Sequence, residues 1–336
     1  MMEKLNTVLE QFKTGATCIK ERRHRHFVSW DLRLAPGKTV AKVERCTKEL
    51  GLALSLPSAP IVEVISSEGI VRLHATRGNA AVIPASETMK KSTGKGFAIG
   101  ESSDGSVVEP VFPDHPHTLI AGTTGSGKSS LMHTILANIA AKVGAGERHL
   151  VYLVDPKQVE FAAYKPGQTI RRISRTFAEA LETLALVEGI MESRYSELRA
   201  RNCVSSAELP TMIPIYVFID EISDLVGRGK EFTERLERIA QKSRAAGIYF
   251  VLATQHPDRK VLGSGIQANF QARIVCRVAD ATSSRVVLGR SGAQHLAGKG
   301  DALLKSGLLE GYRFQASFIE PRAASAAFTR AERRAG

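Results

Sequence analysis

Between His117 and Ser130 the chain reads HTLIAGTTGSGKSS, in which Gly122, Gly127, Lys128 and Ser129 meet the spacing G-x-x-x-x-G-K-[ST]. Thr123, Thr124, Gly125 and Ser126 fill the interval and Ser130 follows it. With so few bulky side chains, backbone amides can converge on an anion. A phosphate chain suits such a loop. Lys128 adds a cation for the β- and γ-phosphates, and Ser129 adds a hydroxyl for a magnesium ion. The expected ligands are ATP and Mg2+, held by Gly122, Thr123, Thr124, Gly125, Ser126, Gly127, Lys128, Ser129 and Ser130.

Hydrolysis needs acidic groups beside that loop, and PIYVFIDEISDLV (214–226) provides them. Asp220 and Glu221 follow an apolar run, at the carboxyl end of an expected buried strand. Asp220 would hold magnesium through water and Glu221 would polarise the attacking water. At the end of the next apolar run, Thr254 and Gln255 could contact the γ-phosphate or that water. Arg244, Arg273 and Arg285 are candidates to reach a neighbouring subunit's γ-phosphate.

The elements that must position these groups follow from periodicity. His117 to Ala121 reads as a short buried strand, and Leu131, Met132, Ile135, Leu136 and Ile139 recur at helical spacing until Gly144 and Gly146. The helix N-terminus, whose amides and dipole favour negative charge, therefore faces the loop. Further strands are expected at 149–156, 215–220, 248–254 and 272–278, β-branched and without clean alternation, as in a parallel sheet covered on both faces. Helices are expected from Ala178 to Arg199 and from Phe232 to Ala245. This order implies an α/β, doubly wound core over residues 113–320, with DALLK and YRFQASFIE closing the sheet edge. Residues 1–112 read as a small α+β domain. Its parts are a loose N-terminal helix, FVSWDLRL, a helix from Lys38 to Leu54, APIVEVIS and GIVRLHAT, with a linker from Lys90 to Gly105. The tail 321–336 has helical tendency but no core of its own, and is expected to be mobile.

Bulk properties narrow the class. The chain has 336 residues, 43% hydrophobic, enough for a proper core. Its formal charge of +12 and pI near 9.7 favour a polyanionic partner such as nucleic acid, though charge alone suits an anionic membrane surface equally well. No apolar run reaches the roughly 18 residues of a membrane span and the charge-mixed start lacks a signal-peptide core, so a cytoplasmic location is expected. Cys18, Cys46, Cys203 and Cys276 contain no C-x-x-C pair, which argues against a zinc site or a disulfide framework. His115 and His117 read as part of a proline-bearing loop.

The chain resembles the motor of the FtsK/SpoIIIE DNA translocases, within the FtsK–HerA group of P-loop ATPases. PHTLIAGTTGSGKSS, LVDPKQVEFAAY, MESRY, IDEISDL, IAQKSRAAGIYFVLATQHP, IQANFQARI, DATSSRVVLG and GAQHLAGKGDALL stand in family order, and DLRLAPG (31–37) is similar to the start of the family's smaller domain. The resemblance implies a RecA-like motor, usually a hexameric ring, that threads double-stranded DNA and moves it by ATP hydrolysis. It places Lys157 and Lys165, and then Arg259, Lys260, Gln267 and Asn269, in DNA-facing loops that touch phosphates without reading bases. Gln267 departs from the family's usual lysine. With neither a membrane region nor a winged-helix domain in sight, the expected role is transfer, packaging or segregation of a phage, plasmid or other mobile element, with direction set by a loading partner. Two alternatives stay open: an FtsK-like ATPase driving protein secretion, and a nucleotide-gated DNA-binding scaffold with little turnover.

Overall fold

The computed structural model describes residues 1–77, 82–112, 114–307 and 309–335. Its N-terminal part is a four-stranded antiparallel sheet, ordered β1-β2-β4-β3, from β1 (Ala16–Arg23), β2 (Phe27–Leu34), β3 (Ile61–Ile65) and β4 (Ile70–Thr76). Trp30, Leu32 and Leu73 of this sheet bury against Leu5 and Leu9 of α1 (Met2–Gln11), Val43 of α2 (Val40–Arg45) and Leu50 of α3 (Thr47–Ala53). The single helix expected from Lys38 to Leu54 is thus two, broken at Cys46, whose ψ of 11° leaves the helical well.

After α4 (Ala85–Lys91), a ten-stranded sheet gathers β5 (Gly100–Ser102), β6 (Val107–Val108), β7 (His117–Ala121), β8 (Leu150–Val154), β9 (Ile170–Ser174), β10 (Ile215–Ile219), β11 (Ile248–Thr254), β12 (Ala272–Cys276), β13 (Asp301–Ser306) and β14 (Leu309–Ala316). The order is β6-β5-β14-β13-β12-β7-β11-β10-β8-β9, parallel from β12 to β9 and antiparallel on the other side. The α/β class is as expected. β13 and β14 lie inside the sheet, however, and β6 and β9 form its edges. β9, with two arginines in IRRIS, carries too weak an apolar signal to read from sequence.

Both faces are covered, which is why the strands do not alternate in polarity. In β11, Phe250 and Leu252 join one core with Leu184 of α6 (Phe177–Ala200), Leu225 of α7 (Ile222–Val226), Leu236 of α8 (Lys230–Lys242), Ile266 of α9 (Ser264–Asn269) and Val287 of α10 (Ala281–Leu288). Val251 and Ala253 join the other, with Leu131, Ile135 and Ile139 of α5 (Lys128–Gly144) and Phe328 of α11 (Pro321–Ala335).

Two boundaries differ from expectation. Phe97, Ile99, Val108 and Phe112 are buried in the core shared with α5 and α11, so the expected linker and the end of the 1–112 unit pack with the ten-stranded sheet; residue 113, where the boundary was drawn, lies outside the described residues. The tail, expected to lack a core, forms a helix over 321–335 packed on the larger unit. Ala324, Phe328 and Ala331 sit at i, i+4 and i+7 and bury one stripe of α11 against α5, giving a segment without its own core a place on another's. Among the described residues no helix is long and apolar enough to cross a membrane.

Candidate nucleotide site

The phosphate loop leaves β7 and enters α5 through two left-handed glycines, Gly125 at φ 74° and Gly127 at φ 112°. A side chain at Gly127 would also stand 2.5 Å from the Gly300 amide, and one at Gly122 2.7 Å from the Cys276 Cβ. Glycine is therefore required by conformation and by space. Neighbouring strand ends pin the loop: Gly122 N donates to Thr254 O (3.1 Å), Thr123 N to Arg277 O (2.9 Å) and Gly300 N to Ser126 O (2.8 Å). α5 starts at Lys128, so its dipole points into a cavity of about 980 Å3 lined by Thr123, Thr124, Gly125, Gly127, Lys128, Ser129 and Ser130.

Lys128 is buried, with Nζ 2.8 Å from Asp220 Oδ1 at the end of β10. Burial pushes the Asp220 carboxyl up from its ordinary value, and Lys128 opposes that shift. Two further carboxylates adjoin them. Asp155, after β8, accepts from Phe161 N (2.9 Å) through Oδ2, while its buried Oδ1 has no hydrogen-bond partner among the described residues. Glu160 accepts from Ser129 Oγ (2.6 Å) and pairs with His133 Nε2 (2.9 Å), and His133 Nδ1 meets the Tyr164 hydroxyl at 2.9 Å. Burial would raise Glu160, but the hydrogen bonds from His133 and Ser129 and the charges of His133 and Lys128 hold it below its ordinary value. Sequence reasoning assigned no role to Asp155, Glu160 or His133, although Asp155 ends an apolar strand as Asp220 does.

Glu221 is fully buried and sits in the left-handed region at φ 49°, a conformation costly for a residue with a Cβ. Its carboxylate is held by Ser223 Oγ (2.6 Å), Thr254 Oγ1 (3.0 Å) and Gln255 N (3.0 Å). Gln255 in turn accepts from Thr124 Oγ1 of the phosphate loop at 2.9 Å. The acidic strand end, the next strand end and the loop thus form one connected network. Arg277 and Lys299, neither of them singled out by sequence, add two cations to the cavity lining.

The remaining candidates are more scattered. Arg273 donates to the carbonyls of Phe270 (3.0 Å), Val287 (2.6 Å) and Gln267 (2.8 Å), so it braces its own loop. Arg244 is exposed just before β11, opposite the strand ends that carry the loop, and Arg285 is exposed on α10. Lys157 pairs with Asp224 at 3.3 Å, and Lys165, Arg259 and Lys260 are exposed. The side-chain amides of Gln267 and Asn269 bond Leu262 O (2.6 Å) and Gly265 O (2.9 Å). His117 begins β7, as the expected strand from His117 to Ala121 has it, and donates through Nε2 to Ala240 O at 2.9 Å.

Comparison with known proteins places this arrangement. Residues 82–213 match the FtsK/SpoIIIE family. The DNA translocase FtsK of Corynebacterium glutamicum is 30% identical over 348 residues, covering 95% of this chain and 38% of its own length. That of Mycobacterium leprae is 29% identical over 348 residues, covering 95% and 41%. The chain therefore spans about two fifths of the length of these curated relatives. The pCW3 conjugation coupling protein TcpA, solved in a monomer form with ATPγS, shares the fold over 99% of both chains, with a TM-score of 0.69 at 21% identity. The cytoplasmic domain of the Thermomonospora curvata type VII secretion ATPase EccC covers 76% of this chain and 35% of its own, with a TM-score of 0.62 at 23% identity. With its phosphate loop inside the matched span and the likeness to the relatives running along nearly its whole length, this chain belongs to the FtsK/SpoIIIE family.

Proposed function

We propose that the protein is an ATP-driven translocase that moves double-stranded DNA through an oligomeric, hexameric ring. The observation that carries this reading is the Lys128–Asp220 contact of 2.8 Å at the floor of a cavity into which the α5 dipole points. An entering triphosphate gives Lys128 a stronger partner in the β/γ-phosphate oxygens, while Gly122 to Ser130 cradle the chain. Ser129, Asp220 and the Asp155 oxygen without a partner among the described residues would supply hard oxygens for magnesium, and the ion would neutralise charge on the leaving phosphates. Glu221 orients and deprotonates the water that attacks the γ-phosphorus, and Gln255, tied to Thr124, senses whether that phosphate is present.

Arg244 and Arg285 reach a neighbouring protomer's phosphate in this scheme. Lys157, Lys165, Arg259 and Lys260 contact the DNA backbone, while Gln267 and Asn269 shape the loop that presents those charges. The +12 charge supports a phosphate polymer as cargo. The end-to-end likeness to a conjugation coupling protein supports transfer of a mobile element, with a replicon-specific loading partner setting direction. The likeness to a secretion ATPase keeps a protein cargo as the second reading. ATP turnover with and without long duplex DNA, at low and high salt, separates them. Stimulation that fades with salt supports DNA as cargo, and turnover indifferent to DNA overturns it.

A further inference from the structure

The cavity over the phosphate loop does not end at the loop. It continues to the β1–β2 turn of the N-terminal unit and to the segment after β14, where His26, Thr76, Val82 and Phe318 line it. Phe318 is 42% exposed and Val82 63%, so both leave apolar surface uncovered at this cavity. The backbone beside Phe318 is tied to the first turns of α5: Ser130 Oγ and Thr134 Oγ1 both donate to Ser317 O at 3.1 Å. Phe318 N donates to Ile83 O at 2.8 Å, which fixes the same segment to the other wall. His26 is only 4% exposed, yet neither ring nitrogen has a hydrogen-bond partner among the described residues. A buried orphan of this kind is costly unless a ligand satisfies it. Burial and the charge of Arg25 lower its pKa, so at neutral pH it offers one donor and one acceptor.

Resting on the nucleotide-site reading, we propose that the N-terminal unit and the β14 exit supply the nucleoside half of the pocket: Phe318 and Val82 flank the base, and His26 hydrogen-bonds the nucleoside. A purine nucleotide fits because one end of the cavity is built for phosphates and the other for a flat, partly polar ring. The volume of about 980 Å3 accommodates both ends at once. Bound nucleotide then bridges the N-terminal unit and the motor sheet.

Calorimetric binding of Mg-ATPγS and Mg-tripolyphosphate to the full chain tests this, because tripolyphosphate lacks the nucleoside. Phe318→Ala and His26→Ala should each weaken ATPγS about tenfold, the size of one stacking or hydrogen-bonding contact, and leave tripolyphosphate unchanged. His26→Gln, which keeps a donor and an acceptor, should recover part of the loss. Unchanged ATPγS affinity in both alanine variants, or equal loss for both ligands, would overturn the proposal. Lys128→Ala should weaken both ligands; if it weakens neither, the nucleotide-site reading itself fails, separately from the nucleoside slot.

Discussion

The chemistry of the proposed site rests on a few side chains whose partners are already arranged. Lys128 pairs with the buried Asp220, so removing it leaves a buried carboxylate uncompensated as well as stripping a charge from the phosphates. Lys128→Ala should lower ATP turnover at least about a hundredfold and weaken nucleotide binding, as read by a coupled assay and by calorimetry. Glu221→Gln should behave differently. The glutamine oxygen still accepts from Ser223 and Thr254, so fold and ATP binding persist while turnover falls by a similar factor, because the amide cannot take a proton. Wild-type turnover in that variant would remove Glu221 from the water-activating role. The P-loop glycines and the D-E pair were legible in sequence because the spacing itself encodes the turn and the strand end. The Ser129–Glu160–His133 link was not, since it joins residues of α5 and the segment after β8 that only sheet order brings together.

Elements add constraints that are testable without nucleotide. His117 opens β7 with both ring nitrogens used, Nε2 donating to Ala240 O and Nδ1 accepting from Phe250 N, so the geometry demands a neutral ring. Burial lowers its pKa from 6.5 to about 4, against partial opposition from its backbone partners. The unfolded chain thus binds the additional proton between those values. Stability from this group is full above pH 6.5, declines as pH falls toward 4 and changes no further below, with a slope of at most about 1.4 kcal/mol per pH unit. Urea midpoints measured across that window should fall with pH, and His117→Gln should flatten this group's share. α11 makes a second case. Phe328 is 3% exposed against Tyr164, with ring centroids 6.2 Å apart, and Phe328→Ala should cost about 3–5 kcal/mol in denaturant unfolding. A change below about 1 kcal/mol would restore the mobile-tail expectation. Helix propensity was visible in that tail; its docking depended on the surface of α5, which no local pattern announces.

At the scale of the molecule, a buried arginine helps to join the two sheets. Arg313 of β14 binds Asp301 of β13 through Nε (2.9 Å) and Nη2 (2.7 Å), and its Nη1 donates to His74 O of β4 at 2.7 Å. Arg313→Ala should destabilise the chain by about 3–5 kcal/mol and uncouple unfolding of the N-terminal unit from that of the motor sheet, visible as a second calorimetric transition. A single, undisturbed transition would deny the pair that coupling role. The basic charge belongs to this scale too: in the translocase reading, log affinity for duplex DNA falls linearly with log salt, and charge-removing variants at Arg259 and Lys260 each reduce the slope by about one. By itself the amino-acid order determined the α/β class, the phosphate loop and the acidic strand end, because each is written in a short interval whose spacing sets its own backbone. Tertiary structure alone decided that residues 97–112 join the motor sheet, that α11 covers α5, that Glu221 is locked by Thr254 and Ser223, and that His26 faces the same cavity as Lys128. Those are meetings between residues distant in the chain, and their free energy comes from burial and hydrogen bonds made only once the layers have packed.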